Sequence, residues 1–450
     1  MRKGFVFDAS LCVSCQACNA ACTLENGFQP GTRSIFTWND SALPLLRVIN
    51  LSLACNHCAK PACAEACPAK AYTIEASGAV IHHADRCMGC GYCTWQCPYD
   101  APAINKTLGY IEKCHMCYAR AAENVDPACV TACPTGALKI VEQQYFEPVG
   151  VAWFPETGIG PSIVIKGTDT LNAPLIIPAE PIEDEEEGET LLSGHDTKWL
   201  LKEWSLIAFS LLVTAASAIL IIYALNSAGG GVRAIPFILM TGAMAVSLVH
   251  LGVPRRSWRA VINIISSPLS REIAMVALLT ILALLHWISP GLIPPVITGA
   301  IALITLISID LVYFNADRTT ALKLHSGQAF FSGIYAVSWF IEPRTIFLVF
   351  SMLAAVSVVI RYRTAEKGRA VSNLYYFRAM ALPVVFMLIY PGSPVTDIAA
   401  LVLFLAGIVA DRVLFFNDFI PINIKNTISE HFINKYEKER DKQHQDSGLS

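Results

Sequence analysis

Cys12-Val-Ser-Cys15-Gln-Ala-Cys18-Asn-Ala-Ala-Cys22 decides how the first third of this chain is read. The same spacing, C-x2-C-x2-C-x3-C, returns at Cys87, Cys90, Cys93 and Cys97. Two variants complete the set: C-x2-C-x4-C-x3-C at Cys55, Cys58, Cys63 and Cys67, and C-x2-C-x11-C-x3-C at Cys114, Cys117, Cys129 and Cys133. These are all 16 cysteines of the 450-residue chain, so nothing after Cys133 carries a thiol. Three groups run directly into proline, at Pro68, Pro98 and Pro134, whereas Thr23 follows the first. Thiols two residues apart let one tight loop present three sulfurs to a single centre. The fourth, three residues further on, has turned away and can reach a neighbouring centre. Proline ends such a loop by fixing φ.

Soft thiolates in this number suit iron–sulfur clusters, zinc or a disulfide framework. Zinc sites use pairs of pairs, whereas here triplets recur with a fourth cysteine at constant offset. Thiols in triplets are poor partners for distant bridges, and the start, Met1-Arg-Lys-Gly-Phe-Val-Phe-Asp8, shows no apolar signal run. The repeated C-x2-C-x2-C-x3-C-P is the bacterial ferredoxin spacing, and at four thiolates per cubane the count predicts about four [4Fe-4S] clusters. His57, His82, His83 and His115 lie among the groups. With sulfur at every iron corner they are expected to be surface or hydrogen-bonding residues. Segments 79–82, 137–141 and 162–165 alternate as short strands do.

The rest of the chain is of another kind. Hydrophobic residues make up 54% of the sequence and charged residues 15%, against roughly 25% in soluble domains. A net charge of −3 gives no basic surplus for nucleic acid. Residues 151–200 read as a linker, with seven acids between Glu180 and Glu189. Apolar stretches of spanning length or nearly so recur at 204–226, 234–251, 273–288, 293–314, 327–341, 345–360, 375–390 and 398–416. The expected division is therefore a cysteine-rich head at 1–150, the linker, a membrane bundle of about eight helices at 201–418, and a polar tail at 419–450.

Charge placement gives sidedness. Counted over eight spans, Arg255, Arg256, Arg259, Arg271, Arg318, Lys323, Arg361, Arg363, Lys367, Arg369, Arg412 and five tail cations share a side with the head. Only Arg233 and Arg344 lie opposite. This places the head in the cytoplasm at an inner membrane. Export on a signal-bearing partner, which would turn the head to the periplasm, is the competing expectation. Asp310 and Arg378 sit in or near spans, where snorkelling from a helix end would account for them.

Four groups with a longer gap in the second and a much longer one in the fourth resemble the four-cluster electron-transfer subunit of the dimethyl sulfoxide reductase family. The resemblance implies an α+β, ferredoxin-like head of two two-cluster modules, followed here by an all-α polytopic membrane bundle. It also implies the ligand sets. Cys12, Cys15, Cys18 and Cys133 would hold the first cluster, and Cys22, Cys114, Cys117 and Cys129 the second. Cys55, Cys58, Cys63 and Cys97 would hold the third, and Cys67, Cys87, Cys90 and Cys93 the fourth. With Cys90 present in the third group, four cubanes are expected, and Trp95 nearby is a packing residue.

The stretch from His250-Leu-Gly-Val-Pro-Arg-Arg-Ser-Trp-Arg259 to Leu269-Ser-Arg-Glu-Ile273 is similar to the membrane-anchor subunit of the same family. That likeness implies a menaquinol site at His250 and Glu272, with Arg256 and Arg259 nearby. A histidine and a carboxylate there could take the two protons that quinol oxidation releases. Menaquinol and menaquinone would exchange with the quinone pool, and membrane lipid would surround the bundle. A separate molybdopterin-containing catalytic subunit would set the terminal substrate. No haem is expected, because the main histidines of the spans, His250 and His286, fall on opposite sides. Ion translocation driven by redox chemistry, and donor oxidation feeding the quinone pool, are the alternative functions.

Overall fold

The computed structural model describes residues 1–38, 48–169 apart from 152, 156 and 168, 203–226, 233–314, 328–340, 345–364 and 394–419, with isolated positions from 374 to 385 and at 424 and 427. The acidic run 180–189, the loop 315–326, most of the loop 361–374, most of the expected span 375–390 and nearly all of the tail lie outside the described residues. The chain divides into two compact units, residues 1–192 with 421–450, and residues 193–420.

In the first unit, β1 (Arg2–Asp8) runs through the middle of a three-stranded sheet of order β8-β1-β9. It lies antiparallel to β8 (Leu138–Gln143) and parallel to β9 (Ile163–Lys166). Phe5 stands opposite Ile140 and Ile163, and Phe7 opposite Leu138 and Ile165. A strand covered on both faces explains the unbroken apolar run Phe5-Val6-Phe7, which does not alternate as a half-exposed strand would. Gly4 is required there, since a Cβ would run into the Phe146 ring and the Ser162 carbonyl.

Three two-stranded ribbons separate the four cysteine groups in chain order. They are β2 (Ser34–Trp38) with β3 (Ile49–Leu53), β4 (Tyr72–Ile74) with β5 (Val80–His82), and β6 (Ala103–Asn105) with β7 (Tyr110–Glu112). Short helices follow the cysteine loops: α1 (Ala17–Asn26), α2 (Ala62–Glu65), α3 (Tyr92–Gln96), α4 (Tyr118–Ala122) and α5 (Ala128–Thr131). Phe5, Phe7, Leu51, Trp153 and Ile163 build the core with several of the cysteines, and Ile424, from beyond the last long helix, is buried in it.

The second unit is helical. Its elements are α6 (Trp204–Asn226), α7 (Ile235–Ser247), a 3-10 helix at Pro254–Val261, α8 (Pro268–Ile288), α9 (Pro295–Phe314), α10 (Ala329–Ser338), α11 (Thr345–Thr364) and α12 (Pro394–Asp418). Among the described residues four stretches are long and apolar enough to cross a membrane: Trp204–Leu225, Pro268–Ile288, Pro295–Phe314 and Ile398–Phe416. Shorter apolar helices are Ile235–Ser247, Ala329–Ser338 and Val349–Val359. Helix α8 begins five residues earlier than its apolar run, because the Ser267 hydroxyl caps it by accepting the Ser270 N–H (3.3 Å) and Pro268 suits its first turn. Several hydroxyls inside the helices bond the preceding turn, as Thr214 does to the Ser210 carbonyl (2.7 Å) and Thr305 to that of Ile301 (2.8 Å), so these need no water.

Candidate functional site

One backbone device repeats in all four cysteine groups. The residue just before each second cysteine has a left-handed φ: Ser14 at 55°, His57 at 44°, Gly89 at 71° and Met116 at 61°. Three of the four are not glycine, and each of those costs on the order of 1 kcal/mol or more of backbone strain. The turn aims that residue's N–H back at the first sulfur of its group. His57 donates to Cys55 Sγ (3.5 Å), Gly89 to Cys87 Sγ (3.4 Å) and Met116 to Cys114 Sγ (3.3 Å), and the Ser14 N–H bonds Cys12. A left-handed turn that recurs at all four sites, strained at three of them, serves those sites, because an N–H bond to sulfur is strongest when the sulfur carries negative charge.

The structure brings cysteines together across groups. One cavity is lined by Cys55, Cys58, Cys63 and Cys97, with Lys113 and Tyr99. A second is lined by Cys67, Cys87, Cys90 and Cys93, with Tyr72 and Met88. Cys12 has Cys15, Cys18 and Cys133 as charge neighbours, and Cys22 has Cys117 and Cys129. The four sets adjoin in a line: Cys129 neighbours Cys18, Cys114 neighbours Cys55, and Cys93 neighbours Cys63. Among the described residues no three His, Cys, Asp or Glu side chains converge on a single-ion site. Sulfurs standing around a cavity suit a polynuclear group.

Most of these thiols are buried; Cys15 is exposed, and Cys12, Cys90 and Cys133 are half-buried. Burial pushes the Cys22 thiol up to about 11, and the Cys90 and Cys97 thiols up to about 12. It raises Cys58, Cys63, Cys93 and Cys114 as well. A thiol held protonated by burial ionises when it coordinates a metal, so the pockets fit iron–sulfur clusters.

The four histidines do other work. His57 is fully buried and accepts the Val80 N–H at Nδ1 (3.0 Å). Burial, followed by the Lys113, Arg33 and Arg2 charges, holds it neutral. His83 Nε2 bonds the Thr73 hydroxyl (2.8 Å), His82 packs on Tyr72, and His115 lies against Phe28 and Tyr118. Trp95 packs edge-on against Tyr92. Two buried cations escape the sequence pattern. Arg33 and Lys113, each 2% exposed, sit among the thiols. Neither falls in a motif; the one hint is that Lys113 directly precedes a ligand-spaced cysteine.

In the helical unit, His250 follows α7 in a turn and interacts with the Ser247 backbone. Arg255 is exposed on the 3-10 helix, Arg256 is half-buried, and Arg259 stacks over Trp258 (5.1 Å). Glu272 lies in the second turn of α8, 4% exposed, and its charge neighbours are Arg412 of α12 and Asp310 of α9. It is thus too far along the helix, and too deep, to be a surface carboxylate favouring the helix dipole. None of the described interactions joins His250 to Glu272.

Asp310 and Arg378 do not snorkel. The Asp310 carboxylate accepts the Ala329 and Phe330 N–H groups (2.7 and 2.9 Å) and so caps α10. Arg378 forms a buried ion pair with Asp411 (2.6 Å). Arg412, counted above among the head-side cations, is buried and donates Nε–H to the Ser210 hydroxyl (2.7 Å), so it drops out of the charge count. His286 packs edge-on against Tyr223.

Residues 46–143 match the family model described as a 4Fe-4S dicluster domain. The sequence is 36% identical over 182 residues to a chain of the anaerobic dimethyl sulfoxide reductase of Haemophilus influenzae, a match covering 37% of this protein and 89% of that one. It is 31% identical over 198 residues to a subunit of the tetrathionate reductase of Salmonella typhimurium, covering 40% and 78% of the two sequences. It is 33% identical over 156 residues to the formate dehydrogenase-O iron-sulfur subunit of Escherichia coli, covering 30% and 51%. With its head so matched and its thiols so arranged, the chain thus belongs to the iron–sulfur electron-transfer subunits of the dimethyl sulfoxide reductase family.

Proposed function

We propose that this chain is the electron-transfer and membrane-anchor subunit of a molybdopterin oxidoreductase complex, linking menaquinol to a separate catalytic subunit. The observation that carries this reading is the pair of cavities, each lined by four cysteines drawn from two sequence groups. The two remaining sets, Cys12, Cys15, Cys18 and Cys133, and Cys22, Cys114, Cys117 and Cys129, follow the same crossed pattern. The head then holds four [4Fe-4S] clusters in two ferredoxin-like modules, within residues 1–150 plus β9. When bound, each cluster supplies one-electron transfer. The chain's own residues aim N–H donors at the sulfurs, exclude water from most of them and keep adjacent sets close.

The linker at 151–200 would join this head to about eight spanning helices at 201–418, with the tail at 419–450. Glu272, buried beside Arg412, would accept a proton from menaquinol, with His250 taking the second near Arg256 and Arg259. The loop cations still lie overwhelmingly on one side without Arg412. That favours a head facing the cytoplasm at the inner membrane, with co-export to the periplasm as the alternative. A transmembrane ion path is less well supported. Among the described residues, Glu272, Asp310, Arg378, Asp411 and Arg412 gather toward the end of the bundle where α6 begins, and no ladder of such groups leads away from them.

The test is metal analysis of the purified chain together with Cys97→Ser. About sixteen irons and sixteen acid-labile sulfides are expected, with zinc negligible. Cys97→Ser should alter the paramagnetic signal that Cys55→Ser also alters, and leave the signal altered by Cys90→Ser. Coincidence with Cys90→Ser instead would overturn the crossed sets.

A further inference from the structure

Lys113 and Arg33 stand at the junctions between thiol sets. The Lys113 ammonium donates to Cys55 Sγ (3.4 Å), to the Cys114 carbonyl (2.8 Å) and to the Val80 carbonyl. Its charge neighbours are Cys55 and Cys63 of one set and Cys114 of the next. The Arg33 guanidinium donates Nη1–H to the Ser52 hydroxyl (3.2 Å), which in turn lies 3.5 Å from Cys18 Sγ, and it stacks over Phe5 (4.8 Å). Its charge neighbours are Cys129, Cys114 and Cys22 of one set and Cys18 of the next, and it bonds Cys129 as well. Among the described residues neither cation bonds a carboxylate: Lys113 faces thiols, carbonyls and the Tyr72 ring, and Arg33 faces thiols, a hydroxyl and the Phe5 ring. The set at Cys22, Cys114, Cys117 and Cys129 is therefore flanked by two buried cations. The groups acting on Cys90 are other cysteines and backbone N–H groups.

Resting on the ligand sets proposed above, we propose that Lys113 and Arg33 are positioning residues that raise the reduction potentials of the clusters on either side of them. Lys113 acts on the second and third sets, and Arg33 on the first and second. A cluster gains one negative charge when reduced, and net charge and hydrogen bonds to sulfur set its potential. A fixed cation buried at such a junction therefore favours the reduced form on both sides. The second set, touched by both, should respond to either substitution.

The test is a potentiometric titration of the membrane-bound holoprotein, followed by electron paramagnetic resonance, with signals assigned through single ligand variants of each set. Lys113→Met should lower the reduction equilibrium of the second and third clusters at least tenfold, about 59 mV for one electron, and leave the first unmoved. Arg33→Met should do the same for the first and second and leave the fourth unmoved. Lys113→Arg and Arg33→Lys, which keep the charge, should restore most of each shift. Full iron content with unshifted potentials in both neutral variants overturns the proposal. So does loss of iron from both neutral variants while the charge-preserving ones keep iron, because the cations would then build the sites instead of tuning them. A wild-type chain without cluster signals would sink the ligand reading itself, a distinct result.

Discussion

The head and the helical body both bury cations, and they compensate them in different ways. In the head, Arg33 and Lys113 face sulfurs, carbonyls and a hydroxyl, so the charge opposing them lies on cysteine sulfur. In the body, Arg378 has its carboxylate built in: Asp411 sits 2.6 Å away, both side chains nearly inaccessible, with the Tyr335 ring 5.4 Å from the guanidinium. A region whose thiols suit a charged cofactor can set cations against sulfur, whereas a region built of apolar helices long enough to span a membrane pairs its charges within the fold. The difference teaches where substitution should harm assembly and where it should change chemistry.

The sharpest break in that contrast is Arg378→Met. Removing one partner of a buried pair leaves an uncompensated charge and costs about 3–5 kcal/mol. Thermal unfolding in detergent should show this as a large fall in midpoint. The double variant Arg378→Met, Asp411→Leu should recover most of it, as a coupled pair requires. Equal stability of the single variant and the parent would show that the body tolerates unpaired charge as well as the head does.

Glu272→Gln comes next, because it asks whether a buried carboxylate of the body serves chemistry after all. Loss of a general base typically costs about 10²-fold or more in rate. Quinol-driven reduction of the clusters should slow by that order, while dithionite still reduces them and iron content is unchanged. His250→Ala should act in the same direction. Wild-type rates in both would remove the quinol site from this end of the bundle.

Asp310 should give the smallest effect and the finest distinction. As a cap it needs an acceptor and not a charge, so Asp310→Ala should lower stability by about 1–3 kcal/mol by orphaning buried N–H groups. Asp310→Asn should keep most of the stability, and cluster reduction by quinol should be the same in both. A large loss in Asp310→Asn would show that the carboxylate's charge toward Arg412 matters more than the cap.

The cysteine spacing made the head readable, because few other chemistries need thiols in that rhythm. The turns that aim N–H groups at sulfur were hidden, since Ser14, His57 and Met116 are not residues that advertise a left-handed φ; only Gly89 does. Strand 163–166 showed in its apolar pattern, yet its parallel pairing with β1 is a long-range fact that no local pattern encodes. The start of α8 was legible and missed. Ser267-Pro268 is a cap followed by a proline at the first helical position, but the apolar run drew the boundary inward. Asp310 looked like a residue near a helix end, since the N–H groups it caps lie nineteen and twenty residues away. Arg33 and Lys113 were invisible because an isolated cation carries no period, and only folding reveals what surrounds it.

The sheet order β8-β1-β9 also fixes a timetable for biosynthesis. The strand made first is the one in the middle, and its neighbours are among the last parts of the head to leave the ribosome. At about 5–20 residues per second the opening segment waits on the order of ten seconds for residues 163–166. By then every thiol has been translated. Helix α6, starting at Trp204, follows within seconds, so on the proposed reading metal loading of the head and membrane insertion of the body would fall in the same brief interval on one nascent chain.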